Sequence, residues 1–241
     1  MVHHFHCVHN EYISASGIMN LVNEVCDLLQ CHTNRDKVVS LASYILKLWG
    51  ATAERKDLLT ASARLASARA TLRLFDDPAA LKNMLAYGLG EKDGPLWGTL
   101  GVANGVLTLA YLQAEKVVWY MEAGMLTLSP VNGDRARIAH KLFWSLSAFV
   151  GFVRSVRALH HAASVLKSPG HSRCAGARLS TARLTSIKLL LDVVHAVSWL
   201  PRGWLWGGVL PQNRVAAVAI ASAVLALVIH YKTKRLAVPA K

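Results

Sequence analysis

Residues 215–231 read Val-Ala-Ala-Val-Ala-Ile-Ala-Ser-Ala-Val-Leu-Ala-Leu-Val-Ile-His-Tyr, seventeen residues with no charged side chain apart from the ordinarily neutral His230. Arg214 stands before the run, and Lys232, Lys234 and Arg235 follow it. A helix rises 1.5 Å per residue, so roughly 20 apolar residues cross the ~30 Å hydrocarbon core of a bilayer. The run is close to that length, and cations after a span are typically retained on the cytosolic side. It is the strongest transmembrane signal in the chain. The fold class it predicts is all-α: a multi-helix integral membrane protein with an N-terminal amphipathic helix and a C-terminal transmembrane helix.

Composition points the same way. Of 241 residues, 53% are apolar and only 17% charged, where a soluble domain carries about 25% charged residues. Mean hydropathy is +0.31, too high for a disordered chain. The net charge of +13 is unevenly placed. Residues 1–134 hold eleven basic and thirteen acidic residues; residues 135–241 hold sixteen basic residues and one acid, Asp192. Basic charge concentrated in the most apolar part suits a membrane region with basic flanks. A soluble nucleic-acid binder, the least favoured reading, more often carries its cations on a polar domain. The chain therefore divides into an unassigned, disordered-looking terminus at 1–34, an amphipathic helical region at 35–134 and a membrane region at 135–241. A polar, basic connector at 160–188 lies inside the last of these and is the best candidate for a flexible loop.

Within 35–49 the hydrophobic period is helical. Asp36, Ser40, Ser43 and Lys47 fall in one narrow stripe, and Val38, Leu41, Ala42, Ile45, Leu48 and Trp49 cover the opposite side. Asn34 is placed to cap this helix. Such a helix either packs its apolar arc in a protein core or lays it on a membrane. In the second reading Arg35, Lys37, Val38, Leu41, Ile45, Lys47, Leu48 and Trp49 contact lipid, the lysines adding roughly 1 kcal/mol each on an anionic surface. Residues 54–75 form a second periodic stretch, which Pro78 ends. From Pro95 to Ala114 there is no charge, but Gly98, Gly101, Asn104 and Gly105 make the segment better suited to close helix packing than to lipid. Gly101 and Gly105, like Gly203 and Gly207, have the four-residue spacing that lets helices approach. Residues 142–153 are apolar until Arg154 and Arg157 interrupt them. The stretch Trp199-Leu200-Pro201-Arg202-Gly203-Trp204-Leu205-Trp206 suits a membrane–water interface.

No catalytic motif emerges. Gly88 and Gly90 lack the third glycine and the strand of a dinucleotide fingerprint, and no phosphate loop or His-Glu-x-x-His is present. Asp192 and His195 could pair across one helical turn, but no motif places a nucleophile beside them. His3, His4, His6, Cys7 and His9 read as a polar tail rather than a metal site, and the four cysteines match no zinc spacing. An enzyme, a metal and a cofactor are thus not expected.

Taken in order, the Arg35-Asp36-Lys37 helix, Leu72-Arg73-Leu74-Phe75-Asp76-Asp77, Tyr87-Gly88-Leu89-Gly90 and Trp199-Leu200-Pro201-Arg202-Gly203 before a C-terminal apolar helix resemble the peroxin-11 family of peroxisomal membrane proteins. The second and fourth strings are most similar to its gamma (C) type. The resemblance runs from about Arg35 to Tyr231. It implies a multi-pass peroxisomal membrane protein with cytosolic termini that remodels and elongates the membrane before division. Implied partners are peroxisomal membrane lipids, further copies and family members, the dynamin-like fission machinery with its adaptors, and the import receptor for peroxisomal membrane proteins; no nucleic acid is expected. The family's amphipathic helix maps onto Arg35–Trp49 and its membrane hairpin onto about 142–159 and 215–231. Two spans alone would put the basic connector 160–188 in the lumen, against the positive-inside tendency; a further span or re-entrant helix at 189–206 would change its side. A small channel or transporter is the alternative reading, motivated by the uncharged segment 95–114 and by Asp192 on an apolar helix.

Overall fold

The computed structural model describes Met19 and residues 22–26, 28–30, 32–168 and 174–237. Among the described residues there are helices and no strand. In chain order they are α1 (His32–Thr52), α2 (Lys56–Arg73), α3 (Asp77–Tyr87), a 3-10 turn (Glu91–Asp93), α4 (Pro95–Glu122), α5 (Pro130–Lys167), α6 (Ala175–Ser198) and α7 (Gln212–Ala237). Proline opens three of them, Pro78 in α3, Pro95 in α4 and Pro130 in α5, because its missing N–H is an orphan at that position in any case. The Ser129 hydroxyl caps α5 by accepting from the Asn132 N–H at 3.4 Å. Gly94 turns the chain into α4 at φ +81°, a conformation that side chains resist.

Three expectations are corrected. Residues 22–26 and 28–30 are helical, as are 32–34, where the terminus reads as disordered. Asn34 lies inside α1 rather than capping it, and its buried amide donates to His230 Nε2 on α7 at 3.3 Å. Of the connector 160–188, residues 160–167 and 175–188 are helical. Its described cations Lys167, Arg178, Arg183 and Lys188 sit among Ala, Leu and Ser at helical spacing.

The helices pack as neighbours in the order α2, α1, α7, α6, α5, α4, α3, with α2 also touching α4. Helix α6 runs back against α5 and α7: Trp144 of α5 meets His195 of α6, while Lys232 of α7 reaches Ser180 at the start of α6. The end of α5, the start of α6 and the end of α7 therefore share one end of the bundle.

What these helices bury is unusual for a protein in water. The buried set is dominated by Ala196, Ala216, Ala219 and Ala223 with Ser43, Ser145, Ser155 and Ser222, and among the described residues no large side chain is completely enclosed. Phe75, Leu85, Phe149, Ile187 and Val224 face outward. Water-soluble folds do the reverse. Close approach through small residues, with large apolar side chains outside, is how helices pack in lipid. Helices α5 and α7 are long and apolar enough to cross a bilayer, and only 11% and 33% of their apolar windows are buried, too little for core helices of a soluble domain.

Candidate membrane-facing site

Helix α1 turns its polar stripe inward. Ser40 and Ser43 are buried, and Ser43 Oγ donates to the Ser62 carbonyl at 3.0 Å while Ser62 Oγ returns a bond to the Ser43 carbonyl at 2.8 Å. Two turns earlier, Arg69 of α2 grips Asp36 with two bonds, Nε to Oδ1 at 2.9 Å and Nη2 to Oδ2 at 3.1 Å. The apolar arc is consequently on the outside. Ile45 is 46% exposed and Trp49 55% exposed, Ala42 is exposed beside them, and Val38, Leu41 and Leu48 are half-buried. The cations of the expected lipid-binding set part company. Arg35 is exposed; Lys37 leans onto Asn34 Oδ1 at 3.4 Å. Lys47 turns inward, its ammonium 4.1 Å from the Trp199 ring centre, and so leaves the outer rim. The helix is not a detached surface element, since it packs on both α2 and α7.

Burial pushes the Asp36 carboxyl up, but the Arg69 hydrogen bonds and charge outweigh it and hold it below the usual carboxylate range. A group with a lowered folded-state pKa stabilises the fold fully above its unfolded value, near 3.9, and loses that contribution as pH falls through the folded value. Asp36→Asn is therefore expected to cost about 2 kcal/mol at pH 7, below the 3–5 kcal/mol typical of fully buried pairs. The gap from the original protein should close below about pH 4. Thermal melts of the detergent-solubilised protein at both pH values check this.

A second cluster ties α2, α3, α4 and α5 together and accounts for the string at 72–77. Arg73 pairs with the buried Glu115 of α4. Tyr111 donates to the same carboxylate at 3.2 Å, and His140 of α5 stacks on the Tyr111 ring with centres 5.1 Å apart. Lys116 pairs with Asp77, and Trp119 Nε1 donates to Thr71 Oγ1 at 3.0 Å. Phe75, between the two paired residues, is 80% exposed. Arg73 and Asp77 thus hold the break between α2 and α3 against α4, and Phe75 is presented outward. Sequence reading missed these pairs. The one available signal was Asp36 and Glu115 on largely apolar helices, where a charge needs a partner; the partners lie 33 and 42 residues away.

Gly101 and Gly105 do pack a helix closely, but within the chain. A Cβ at Gly101 would overlap the Tyr87 ring, and one at Gly105 would lie 2.8 Å from Met84 Cγ. Tyr87 is fixed there by its hydroxyl, which donates to Asp93 Oδ2 at 2.6 Å, and Arg154 of α5 sits 5.0 Å over its ring. Gly101→Leu is expected to cost about 1–3 kcal/mol by overpacking and to leave self-association unchanged. Melting and co-precipitation of two differently tagged copies separate these effects.

Gly203 and Gly207 lie on no helix, which overturns their expected helix-packing role. Pro201 cannot continue α6, and the chain turns instead, with Gly203 at φ +94°. Gly207 lets the loop close on itself, since a Cβ there would sit 2.5 Å from the Pro201 carbonyl oxygen. Trp199 Nε1 donates to the buried His195 Nε2 at 3.1 Å, and Trp206 Nε1 to the Val194 carbonyl at 3.1 Å. Trp204, Leu205 and Val209 face outward from this loop. Asp192 and His195 do not pair; Asp192 is taken by Lys188 and Ser222. The histidines of the first nine residues lie outside the described residues.

A family model for Peroxisomal biogenesis factor 11 matches residues 22–229, from before α1 into α7. Peroxisomal membrane protein 11C of Mus musculus is 29% identical over 227 residues, covering 86% of this chain and 93% of that protein. Peroxisomal membrane protein 11C of Homo sapiens is 27% identical over 229 residues, covering 87% and 94%. No solved structure is significantly similar. The match takes in the outward arc of α1, the α2–α4 clasp and most of the apolar run of α7: the chain belongs to the Peroxisomal biogenesis factor 11 family.

Proposed function

We propose that this chain is an integral peroxisomal membrane protein that elongates the membrane ahead of division, using the outward apolar arc of α1. The carrying observation is the inversion of α1, with its polar stripe closed against α2 and Ile45 and Trp49 turned outward. The hairpin α1–α2 has one apolar side and one wet side, because α2 and the turn before it expose Arg55, Lys56 and Arg64. Such an element is stable where lipid meets water. Packed along α7 from His230 toward Trp199, the arc widens one leaflet more than the other, and the area difference favours curvature.

The arrangement of α5, α6 and α7 supports a cytosolic C-terminus. Their shared end carries Lys167, Arg178, Arg183, Lys232 and Lys234, the pattern kept in the cytosol. With α6 running back along α5 and α7, the end of α5, the start of α6 and the end of α7 lie together, which supports placing all three on the cytosolic side. Asn34 meets His230 near that end, which supports a cytosolic N-terminus too. Self-association, and cooperation with dynamin-like fission machinery, its adaptors and the import receptor, belong to the same reading. Overexpression of the tagged full chain is expected to produce elongated peroxisomes carrying the tag, resistant to carbonate extraction. Round peroxisomes, or a carbonate-soluble protein, would reject it.

A further inference from the structure

The basic end of the bundle contains a groove of about 310 Å³ between α5, α6 and α7, lined among others by Ser155, Arg178, Thr181, Thr185 and Thr233. We propose that this groove binds the phosphate of an anionic phospholipid headgroup. The assignment rests on α5–α7 lying in the bilayer.

Charge is the first argument. Among the described residues no carboxylate pairs with Arg178, and the single acid of these helices beyond Asp134, Asp192, is committed to Lys188 and Ser222. Asp192 is fourteen residues further along α6, about 21 Å away at the helical rise. A second cation stands at the rim: Lys232, next to Thr233, donates to Ser180 Oγ at 2.8 Å, two residues from Arg178. An exposed guanidinium next to a groove, with no carboxylate on it, presents its planar fork to an incoming phosphate.

The hydroxyls are the second argument. Ser155, Thr181 and Thr185 donate to carbonyls of their own helices at 2.7, 3.0 and 2.9 Å. Those carbonyls already serve the helix ladder, so each proton can turn to a phosphate oxygen without orphaning a backbone group. The apolar surroundings of the groove select a lipid over a soluble phosphate. Ala158 and Ala182 complete the groove wall, and the same three helices turn Val156, Ile187 and Val228 outward, a surface for acyl chains beneath the headgroup. A zwitterionic lipid would bring its own cation against Arg178 and Lys232, so an anionic headgroup is preferred.

Native mass spectrometry of the full chain in detergent, given equal amounts of phosphatidylinositol and phosphatidylcholine, tests the site. Arg178→Gln is expected to lower retained phosphatidylinositol about fivefold, as for the loss of one cation beside an anionic lipid. Ala182→Phe, which fills the groove and keeps every charge, should lower it comparably, and Arg183→Gln should change it little. Unchanged retention in Arg178→Gln, or an equal loss in Arg183→Gln, would overturn the groove in favour of diffuse attraction. Should Ala182→Phe lose helicity by circular dichroism, the contrast between the two arginine variants decides. Carbonate resistance of each variant shows whether a lost lipid reflects the groove or failure of the bilayer placement itself.

Discussion

Aspartates at Ala221 and Val224 are expected to release the protein from carbonate-washed membranes. Each costs about 3 kcal/mol at the centre of an inserting helix, and together they shift partitioning by more than about 10⁴-fold. Both positions face outward, while α7 packs on its neighbours through Val215, Ala216, Ala219 and Ala223. The substitutions therefore oppose lipid and leave the internal contacts alone. Without α7, the anchor left in α5 is the uncharged stretch 142–153 before Arg154, well short of the roughly 20 residues a span needs. A double variant that stays in the carbonate pellet would show that α7 is not the anchor.

The second large effect belongs to α1. Ile45→Glu combined with Trp49→Glu should abolish peroxisome elongation on overexpression while leaving the protein on peroxisomes. Burying each of these side chains in an apolar phase is worth about 1.5–3 kcal/mol, and a carboxylate in its place opposes insertion outright. Both side chains point away from α2 and α7, so the Ser43–Ser62 and Asp36–Arg69 contacts that hold the hairpin survive. Fluorescence microscopy of cells expressing the tagged variant reads both outcomes. Normal elongation would remove α1 from the mechanism. Loss of targeting would instead mean that the arc helps to place the protein in its membrane.

Legibility in the sequence followed the range of the interaction that carries each feature. The apolar run of α7 and the two faces of α1 are local periodicities, and both were readable. The direction in which α1 faces was not: the same arc fits a core or an outer surface, and Ser43 bonded to Ser62 and Asp36 gripped by Arg69 turn it outward. Helix α6 was half hidden, because Arg178, Arg183 and Lys188 make its first half look like a connector; their side chains lie outside or pair along the helix. The clasp of Arg73 on Glu115 and of Asp77 on Lys116 joins residues about forty positions apart, beyond any periodic signal. Gly203 and Gly207 were misread for the opposite reason. A four-residue glycine spacing has meaning only on a helix, and Pro201 had already ended one.

The central claim is that α1 gives its apolar arc to lipid and its polar stripe to protein. A nitroxide on a single cysteine at position 45, in a variant with the native cysteines replaced and reconstituted in anionic vesicles, reads this directly through its collision rates with oxygen and with a water-soluble nickel chelate. Oxygen, which concentrates among acyl chains, is expected to dominate at position 45, whereas a label at Arg64 on the wet side of α2 should favour the nickel chelate. A label at position 45 that meets the nickel chelate as freely as the label at position 64 would place the arc in water and contradict the account.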